Sequence, residues 1–189
     1  DISVNVVVTG AVNTASVGTY TLSYAVVDTA GNNAVSQTRQ VTVQDASAPI
    51  IVAPNNLTVA ATDAAGTLAT DSAIATFLMS ANGSDDVDTI VVVSHNAPSV
   101  FPIGLTTVTF SATDAAGNVG SATATVTVAD QSKPVITLSG NSSMTLNLNA
   151  SFTEPGYSAA DNVDGDISVN VVVTGAVNTA SVGIYTLSY

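Results

Sequence analysis

The feature that most constrains the fold of this chain is an internal repeat. Residues 1–24 have the sequence DISVNVVVTGAVNTASVGTYTLSY, and residues 166–189 repeat it with a single difference, Ile184 in place of Thr19. Such near-identity indicates a recent duplication within a tandem array, because folding requirements alone would not preserve exposed residues so closely. We therefore expect the 189 residues to be a window onto a longer repetitive protein.

A second, weaker repeat divides the chain into domains. Segment 18–28, GTYTLSYAVVD, aligns with segment 104–114, GLTTVTFSATD, and each ends in a D-x-A-G-N loop. Each loop is followed by an alternating strand and then by a short segment that contains proline. This indicates two related but non-identical domain types. The predicted division is 1–44, the C-terminal half of one domain, then 45–130, a domain of the second type, and 131–189, the N-terminal part of the first type.

Period-2 alternation of apolar and polar residues dominates the chain and predicts β-strands. Val, Thr, Ala and Ser are abundant and only 8% of residues are charged, which is typical of a β-sandwich. Domains of about 80 residues with seven or so strands have the size of an immunoglobulin-like (Ig-like) sandwich. The predicted fold is therefore all-β, with tandem Ig-like β-sandwich domains in an extended array.

Several segments carry more local predictions. We expect strands at 135–138, 144–148 and 167–171, and one short helix within 70–80, after a Thr70-Asp71 cap. Tyr20 and Tyr185 each lie just after a glycine at the start of a late strand, where sandwich domains place a corner tyrosine. The residues expected in the core are Tyr20, Leu22, Tyr24 and Val26 on one strand, and Val108, Phe110 and Ala112 on another.

Charge and composition argue against several classes of function. Two Lys+Arg stand against fourteen Asp+Glu, a net charge of −12, whereas nucleic acids and anionic membrane surfaces require clustered basic residues. No apolar run approaches the length of about 18 residues that a membrane helix needs. The chain has no cysteine for a disulfide or a thiolate site, and its one histidine, His95, is expected at an exposed strand end. We predict no catalytic residues and no enzyme activity.

Particular motifs resemble two known families. PVITLSG, FTEPGYSAADNVDGDISV and VGIYTLSY, within 131–189, resemble the bacterial Ig-like domain named after pesticidal crystal proteins, and residues 1–44 resemble the C-terminal half of that domain. PIIVAPNNLTVAAT, FPIGLTTVTFSATDAAGN and ATVTV, within 46–130, resemble the hyalin-repeat (HYR) domain, without that family's cysteine pair. These resemblances imply a surface or secreted multidomain protein, such as a large repetitive adhesin.

Two acidic loops are candidate metal sites. The first contains Asp161, Asn162, Asp164 and Asp166, and the middle domain carries a counterpart in Asp85, Asp86 and Asp88. The start of the first loop resembles an EF-hand loop, but the terminal glutamate is missing and no flanking helices are expected. Closely spaced carboxylates repel each other, and a hard cation removes that repulsion. Ca²⁺ suits these oxygen ligands because it accepts six to eight of them in irregular geometry.

Ig-like topology brings further acids to these loops. The acidic run is expected between the second and third strands and the D-x-A-G-N loop between the last two, at the end of the sandwich where the preceding linker arrives. We therefore predict a Ca²⁺ site at each domain junction, which stiffens the array. The candidate ligands are Asp45, Asp85, Asp86, Asp88, Asp114 and Asn118 at one junction and Asp130, Asp161, Asn162, Asp164 and Asp166 at the other, together with Asp1 and Asp28 in the first domain.

A simpler interpretation of the acidic loops stays open at this point. Asp, Asn and Gly are the commonest turn formers, so the same residues also fit solvated hairpin turns without any metal. Two further aspartates, Asp63 and Asp71, are expected to be a turn residue and a helix cap rather than ligands.

The function that these features favour is structural. We expect a stalk or spacer segment of a long extracellular or cell-surface protein, an adhesin or a surface filament, which holds a terminal binding module away from the cell. Its expected partners are neighbouring repeats of the same chain, with lateral or end-to-end self-association as a further option. The alternatives are an Ig-like module that binds glycan or protein, and a self-associating fibre subunit. Glycan sites generally use exposed aromatic residues, whereas this chain has no Trp and is only 5% aromatic.

Overall fold

The computed structural model of the protein describes residues 3–189. The chain divides into two compact units, each assembled from three segments. The first contains the residues up to Ile51 together with Asn82–Ser94 and Ser111–Ser121, and the second contains Val52–Ala81, His95–Phe110 and Ala122–Tyr189. Strands in several sheets predominate over a single short α-helix in the described residues, which confirms the predicted all-β fold.

The first repeat copy forms a three-stranded antiparallel sheet. A 3-10 helix at Ser3–Asn5 precedes β1 (Val7–Thr9), β2 (Gly18–Ala25) and β3 (Gln37–Val43), which are ordered β1-β2-β3. The register places Gly18 opposite Val43 and Tyr24 opposite Gln37. The expected core residues of β2, Tyr20, Leu22 and Tyr24, are only half-buried, because the strands that pack most closely on β2 are those of its own sheet.

The middle segment, residues 45–130, contributes eight strands and the helix. They are β4 (Ile50–Val52), β5 (Leu57–Ala60), β6 (Thr67–Leu68), α1 (Ser72–Met79), β7 (Asn82–Ser84), β8 (Ser94–His95), β9 (Val100–Phe101), β10 (Gly104–Thr113) and β11 (Val119–Ala129). One sheet has the order β5-β11-β10-β8, with β5 parallel to β11, and β4–β7 and β6–β9 form two smaller sheets. Val108, Phe110 and Ala112 alternate along β10 and are buried, which confirms the predicted core face.

The helix α1 lies within the predicted segment 70–80 and begins at the predicted cap. The Asp71 Oδ1 accepts hydrogen bonds from the N–H groups of Ala73 and Ile74, at 2.9 and 3.4 Å. Ile74 and Phe77 are buried on one face of the helix, and the Phe77 ring meets that of Phe110 edge-on, 5.8 Å between centroids. Both the helix and the capping role of Asp71 are therefore confirmed.

Two other polar residues also lie where the sequence predicted them. The Asp63 Oδ1 accepts the N–H of Ala65 at 2.8 Å within a tight turn, which is the expected turn role. His95 is exposed at the end of β8. Neither residue contributes to the acidic cluster described below.

Residues 131–189 hold β12 (Val135–Leu138), β13 (Tyr157–Asp161), β14 (Gly165–Asp166) and a 3-10 helix at Ser168–Asn170, with the strands ordered β12-β13-β14. The strand prediction at 135–138 is confirmed, but those at 144–148 and 167–171 are wrong. Alternation produces a strand only where a partner satisfies its backbone groups, and 144–148 pairs with no strand among the described residues. At 167–171, the N–H of Asn170 bonds the carbonyl of Ile167 at 2.9 Å and closes a helical turn instead.

Both corner tyrosines are present. The Tyr20 hydroxyl donates to the carbonyl of Ser16 at 2.7 Å, and the Tyr185 hydroxyl donates to that of Ser181 at 3.0 Å. The two repeat copies therefore share this local geometry. Among residues 3–189, no helix has both the length and the apolar character needed to cross a membrane.

Candidate metal centres

The first acidic loop follows β13 and is organised around Asp161. Its Oδ1 accepts the N–H groups of Val163 at 2.8 Å and Asp164 at 3.3 Å, which fixes the turn. Its Oδ2 is buried and has no hydrogen-bond partner among the described residues. A buried carboxylate oxygen without a partner is costly, and such groups in folded proteins call for an ion or water.

Two other carboxylates lie beside Asp161. Asp130, which directly follows β11, and Asp164 each place a carboxylate oxygen within 4.8 Å of the other two residues of the group. Oxygens on opposite sides of one Ca²⁺ are about 4.8 Å apart, since each lies about 2.4 Å from the ion. The donor set of this cluster, Asp130, Asp161 and Asp164, therefore fits a calcium ion in both chemistry and spacing.

The cluster is electrostatically unfavourable on its own. At this spacing each pair of ionised carboxylates repels by about 1 kcal/mol in bulk water and several-fold more where water is partly excluded. Asp161 is only partly exposed, and its Oδ2 is fully shielded. A bound divalent cation would convert this repulsion into attraction.

Asn162 and Asp166 take different roles from the three clustered acids. The Asn162 Nδ2 donates to the carbonyl of Ala61 at 2.9 Å. The Asp166 Oδ1 accepts both the hydroxyl and the N–H of Ser168, at 2.5 and 2.9 Å. The Ser168 hydrogen bonds hold the pKa of Asp166 below its ordinary value, and they turn this carboxylate towards the 3-10 helix.

The middle segment repeats the same loop geometry. The Asp85 Oδ1 accepts the N–H groups of Val87 at 2.9 Å and Asp88 at 3.0 Å, and its Oδ2 is buried without a partner among the described residues. Asp85 therefore corresponds to Asp161 in both hydrogen bonding and burial. The two domain types share this loop although their sequences have diverged.

The linker and the D-x-A-G-N loop both reach this second acidic loop. Ser47 donates its hydroxyl to the Asp86 Oδ2 at 3.2 Å, and Ala115 donates its N–H to the Asp88 Oδ2 at 2.7 Å. Asp45 instead accepts the N–H of Ser47 at 2.9 Å. Asp86 and Asp88 each accept one protein donor, and no group of three converging carboxylates forms at this junction in the described part of the chain.

The aspartates of the two D-x-A-G-N loops accept hydrogen bonds from residues of the same loop and so stabilise it. Asp114 accepts the backbone N–H and the side-chain amide of Asn118, at 2.7 and 2.8 Å, and Asp28 accepts the same two groups of Asn32, both at 2.8 Å. Desolvation opposes ionisation of Asp114, but the hydrogen bonds from Asn118 outweigh it and leave its pKa below the ordinary value. The amide of Asn32 likewise lowers the pKa of Asp28.

The structure thus separates the candidate ligands into groups. It brings Asp130, Asp161 and Asp164 together and links Asp86 and Asp88 to neighbouring segments through single donors. The candidates engaged in local hydrogen bonds are Asp28, Asp45, Asp114, Asn118 and Asp166. Asp1 lies outside the described residues.

Sequence reasoning missed the serine two positions after each linker aspartate. Ser47 and Ser132 donate their N–H groups to Asp45 and Asp130, at 2.9 and 3.0 Å, and so set the two linker turns alike. The signal was present as the shared D-x-S spacing at 45–47 and 130–132.

Comparison with known protein families assigns successive segments of the chain to two families in alternation. Residues 1–43 and 136–189 match the family model for the Ig-like domain of bacterial surface proteins, and residues 44–128 match that for the HYR domain. A comparison with curated proteins finds no match. The two acidic loops described above fall one in each matched family, and Asp130 lies between the matched segments.

Proposed function

The chain belongs to the family of Ig-like domains of bacterial surface proteins, and we propose that it is a calcium-stiffened spacer of a cell-surface repeat protein. In this proposal, its domains add length between the cell and a terminal binding module, as in an adhesin. The near-identity of residues 1–24 and 166–189 supports a spacer, since length and stiffness tolerate identical units whereas recognition surfaces diversify. A net charge of −12 keeps neighbouring stalks soluble and apart.

The observation that carries the calcium proposal is the buried, unpartnered Oδ2 of Asp161 beside two further carboxylates. Leaving such an oxygen unsatisfied costs about 1–3 kcal/mol, and more for a charged group. Ca²⁺ would remove this cost and the repulsion within the cluster. Asp130, Asp161 and Asp164 would hold the ion, with carbonyl oxygens or water completing its coordination.

The position of the cluster links metal binding to stiffness. Asp130 follows the last strand of the HYR segment, whereas Asp161 and Asp164 belong to the Ig-like segment that comes next. One ion held by all three carboxylates would tie the linker to the loop. Without it, like charges would loosen the same junction. Asp85, with its own shielded Oδ2, supports a second and weaker site beside the other linker.

The test is thermal unfolding of the full chain in EGTA and in millimolar Ca²⁺, together with calorimetric titration. Calcium at about one hundred times its Kd stabilises by about 2.7 kcal/mol, which corresponds to a rise in Tm of about 5–10 °C for a protein of this size. Solution scattering should show a longer particle with calcium than without it. Mg²⁺ should be a weak substitute, because it demands strict octahedral geometry.

The matched variants are Asp161→Asn and Asp63→Asn. Both aspartates accept a backbone N–H in a tight turn, but only Asp161 belongs to the cluster. Asp161→Asn should abolish most of the calcium-dependent rise in Tm, and Asp63→Asn should retain it. An unchanged Tm and an unchanged particle length with calcium would overturn the metal proposal and leave the acidic loops as turns.

A further inference from the structure

Two segments of the HYR segment are apolar at consecutive positions. Residues 50–52 are Ile-Ile-Val, and residues 90–93 are Ile-Val-Val-Val. A strand with one face in water alternates apolar and polar residues, whereas a strand covered on both faces is apolar throughout. These two runs therefore have the sequence of strands that are covered on both faces.

One face of the two runs is directed into the domain. Gly83 of β7 leaves a space that neighbouring side chains fill, since an added Cβ would lie 2.5 Å from the Val91 Cγ1, 3.1 Å from the Val93 Cγ2 and 3.2 Å from the Ile51 Cδ1. β7 pairs with β4, so Ile51, Val91 and Val93 converge on one side of these strands. All three residues are partly buried.

The other face of the runs lies in water. The residues that alternate with the inner ones are between 61% and 81% exposed, and we call them the outer face: Ile50, Val52, Ile90 and Val92. Asn82 and Ser84, on either side of Gly83, are exposed as well. None of these side chains is charged, although the chain has a net charge of −12. Contiguous apolar surface of this kind marks an interaction site.

The Ig-like segment has polar residues where the outer face has apolar ones. The two acidic loops align residue for residue, so that Ile90 corresponds to Asp166 and Val92 to Ser168. Asp166 and Ser168 are hydrogen-bonded to each other. The two domain types thus share the loop but differ in the strand face that follows it, and the apolar face is particular to the HYR segment.

A preceding domain does not cover this part of the sheet. The prolines at 49 and 134 align, so that Ile50 corresponds to Val135 of the Ig-like segment. Val135 is 65% exposed, and Asp166 is exposed too, although the HYR segment directly precedes them. The face at this distance from a linker therefore remains accessible beside its neighbour in the chain.

We propose that the outer face packs against the outer face of a second copy of the chain. Two sheets that bury apolar faces against each other lie about 10 Å apart, and the use of one face by both partners gives a two-fold symmetric pair. Two acidic chains repel each other least where neither presents a carboxylate, which is the case at this face. Charges elsewhere on the two chains are screened beyond about 10 Å at 0.1 M salt.

Chemistry and location favour a second copy over other partners. The outer face has no aromatic side chain that could stack on a sugar, and no basic side chain for a nucleic acid or an anionic lipid. Copies of a surface protein stand side by side at high local concentration, so the choice of partner rests on the surface location in the proposed function. The net charge opposes contact through the acidic parts of the surface and so restricts pairing to this face.

The area of the outer face sets the strength of the pair. Four Ile and Val side chains expose on the order of 300 Å², less than the roughly 800 Å² that each partner buries in a stable complex. A single pair is therefore weak, and we expect it at chain concentrations of about 0.1–1 mM. Several such faces along two neighbouring repeat proteins would strengthen the association through multivalency.

The test is sedimentation velocity of the full chain up to about 1 mM, in EGTA, at low and at high NaCl concentration. We expect a monomer–dimer equilibrium whose Kd falls as the salt concentration rises, because salt screens the repulsion between two acidic chains. Methyl NMR over the same concentrations should show shifts for Ile50 and Ile90 and none for Ile74, which is fully buried in the core.

Two variants with the same change of charge test the position of the contact. Ile90→Asp introduces the residue of the Ig-like segment and should weaken dimerisation at least about tenfold, since the pair would then bury unpaired carboxylates. Leu105→Asp is the control, because Leu105 is 68% exposed on β10, outside the outer face. It should dimerise as the wild type does. Both substitutions are at exposed positions, and an unchanged Tm in EGTA verifies that each variant folds.

Three results would overturn the proposal. The first is a chain that stays monomeric at about 1 mM in high salt. The second is dimerisation that Ile90→Asp leaves unchanged, and the third is a Kd that rises with salt, which indicates attraction between charges. None of these results would alter the calcium dependence of Tm, so the pairing proposal and the calcium proposal fail independently.

Discussion

The side-chain amide of Asn162 donates a 2.9 Å hydrogen bond to the carbonyl of Ala61, a residue 101 positions earlier in the chain. Ala61 belongs to the HYR segment and Asn162 to the following Ig-like segment. The acceptor is a buried residue whose own N–H bonds Ala129 at 2.8 Å, next to Asp130. This hydrogen bond thus fastens the acidic loop beside the linker aspartate, independently of any ion.

Removing that amide should loosen the junction. Asn162→Ala is expected to lower the free energy of unfolding by about 1 kcal/mol, the usual contribution of one partly buried hydrogen bond. Urea unfolding in EGTA measures this directly. Asn141→Ala, at an exposed asparagine, is the control and should change stability by less than about 0.5 kcal/mol. Equal stability of the two variants would show that the Asn162 contact does not hold the loop.

The corner tyrosines offer a comparison between the two repeat copies. Tyr20→Phe and Tyr185→Phe each remove only a hydroxyl that donates to a carbonyl four residues earlier. Each is expected to cost about 1 kcal/mol of stability. Tyr20→Phe should cost more than Tyr185→Phe, because β2 is paired on both sides. Hydrogen exchange of the strand amides, residue by residue, separates the two effects. Equal costs of the two substitutions would mean that the corner bond acts independently of strand pairing, and the opposite order would contradict the prediction.

Asp114 should contribute to acid sensitivity. Its folded-state pKa lies below the ordinary value of 3.8, so its stabilising contribution is present above that value and is lost as the pH falls through the folded-state pKa. Asp114→Asn should therefore lower stability at pH 7 and reduce the further loss on acidification. Urea unfolding at pH 7 and at about pH 2.5 tests this. A parallel loss in the variant and the wild type would contradict it.

Tyr189 should make the stability of the fold depend on pH in the alkaline range. Its hydrogen bond to Glu154, with desolvation and the nearby negative charge, raises the pKa of Tyr189 to about 12 from 10.0. A raised pKa stabilises the fold below pH 10, and the contribution disappears as the pH rises towards 12. Ultraviolet titration should show a late tyrosine step near pH 12. Tyr189→Phe should remove that late step while preserving the edge-on ring contact with Tyr157, 5.2 Å between centroids. A late step that survives the substitution would assign it to another tyrosine.

Features that depend on neighbours in sequence were predictable. The cap at Asp71, the helix α1, the alternation along β10 and the two tyrosine corners all follow from contacts within a few residues, or from a period that the sequence displays directly. The families and the all-β fold were predictable for the same reason, since their motifs lie in continuous segments.

Tertiary structure decided which acids converge. Asp130 and Asp161 accept local N–H groups just as Asp114 and Asp166 do, yet only Asp130 and Asp161 meet across the fold, together with Asp164. Convergence depends on how the fold places distant loops beside one another, and composition alone does not reveal that placement. The cluster of converging carboxylates is therefore smaller than the set of acids that the sequence presented.

Strand pairing most clearly separates what the sequence determined from what the tertiary structure decided. The sequence determined that residues 18–24 and 183–189 prefer the same extended conformation, with the same tyrosine and glycine corners. Only the tertiary structure decided that the first of these segments pairs with β1 on one side and with β3 on the other. The physical reason is that half of the backbone hydrogen bonds of a central strand are made to each neighbouring strand. The sequence of a segment favours an extended conformation, but the adjacent strand supplies the second partner of each backbone hydrogen bond.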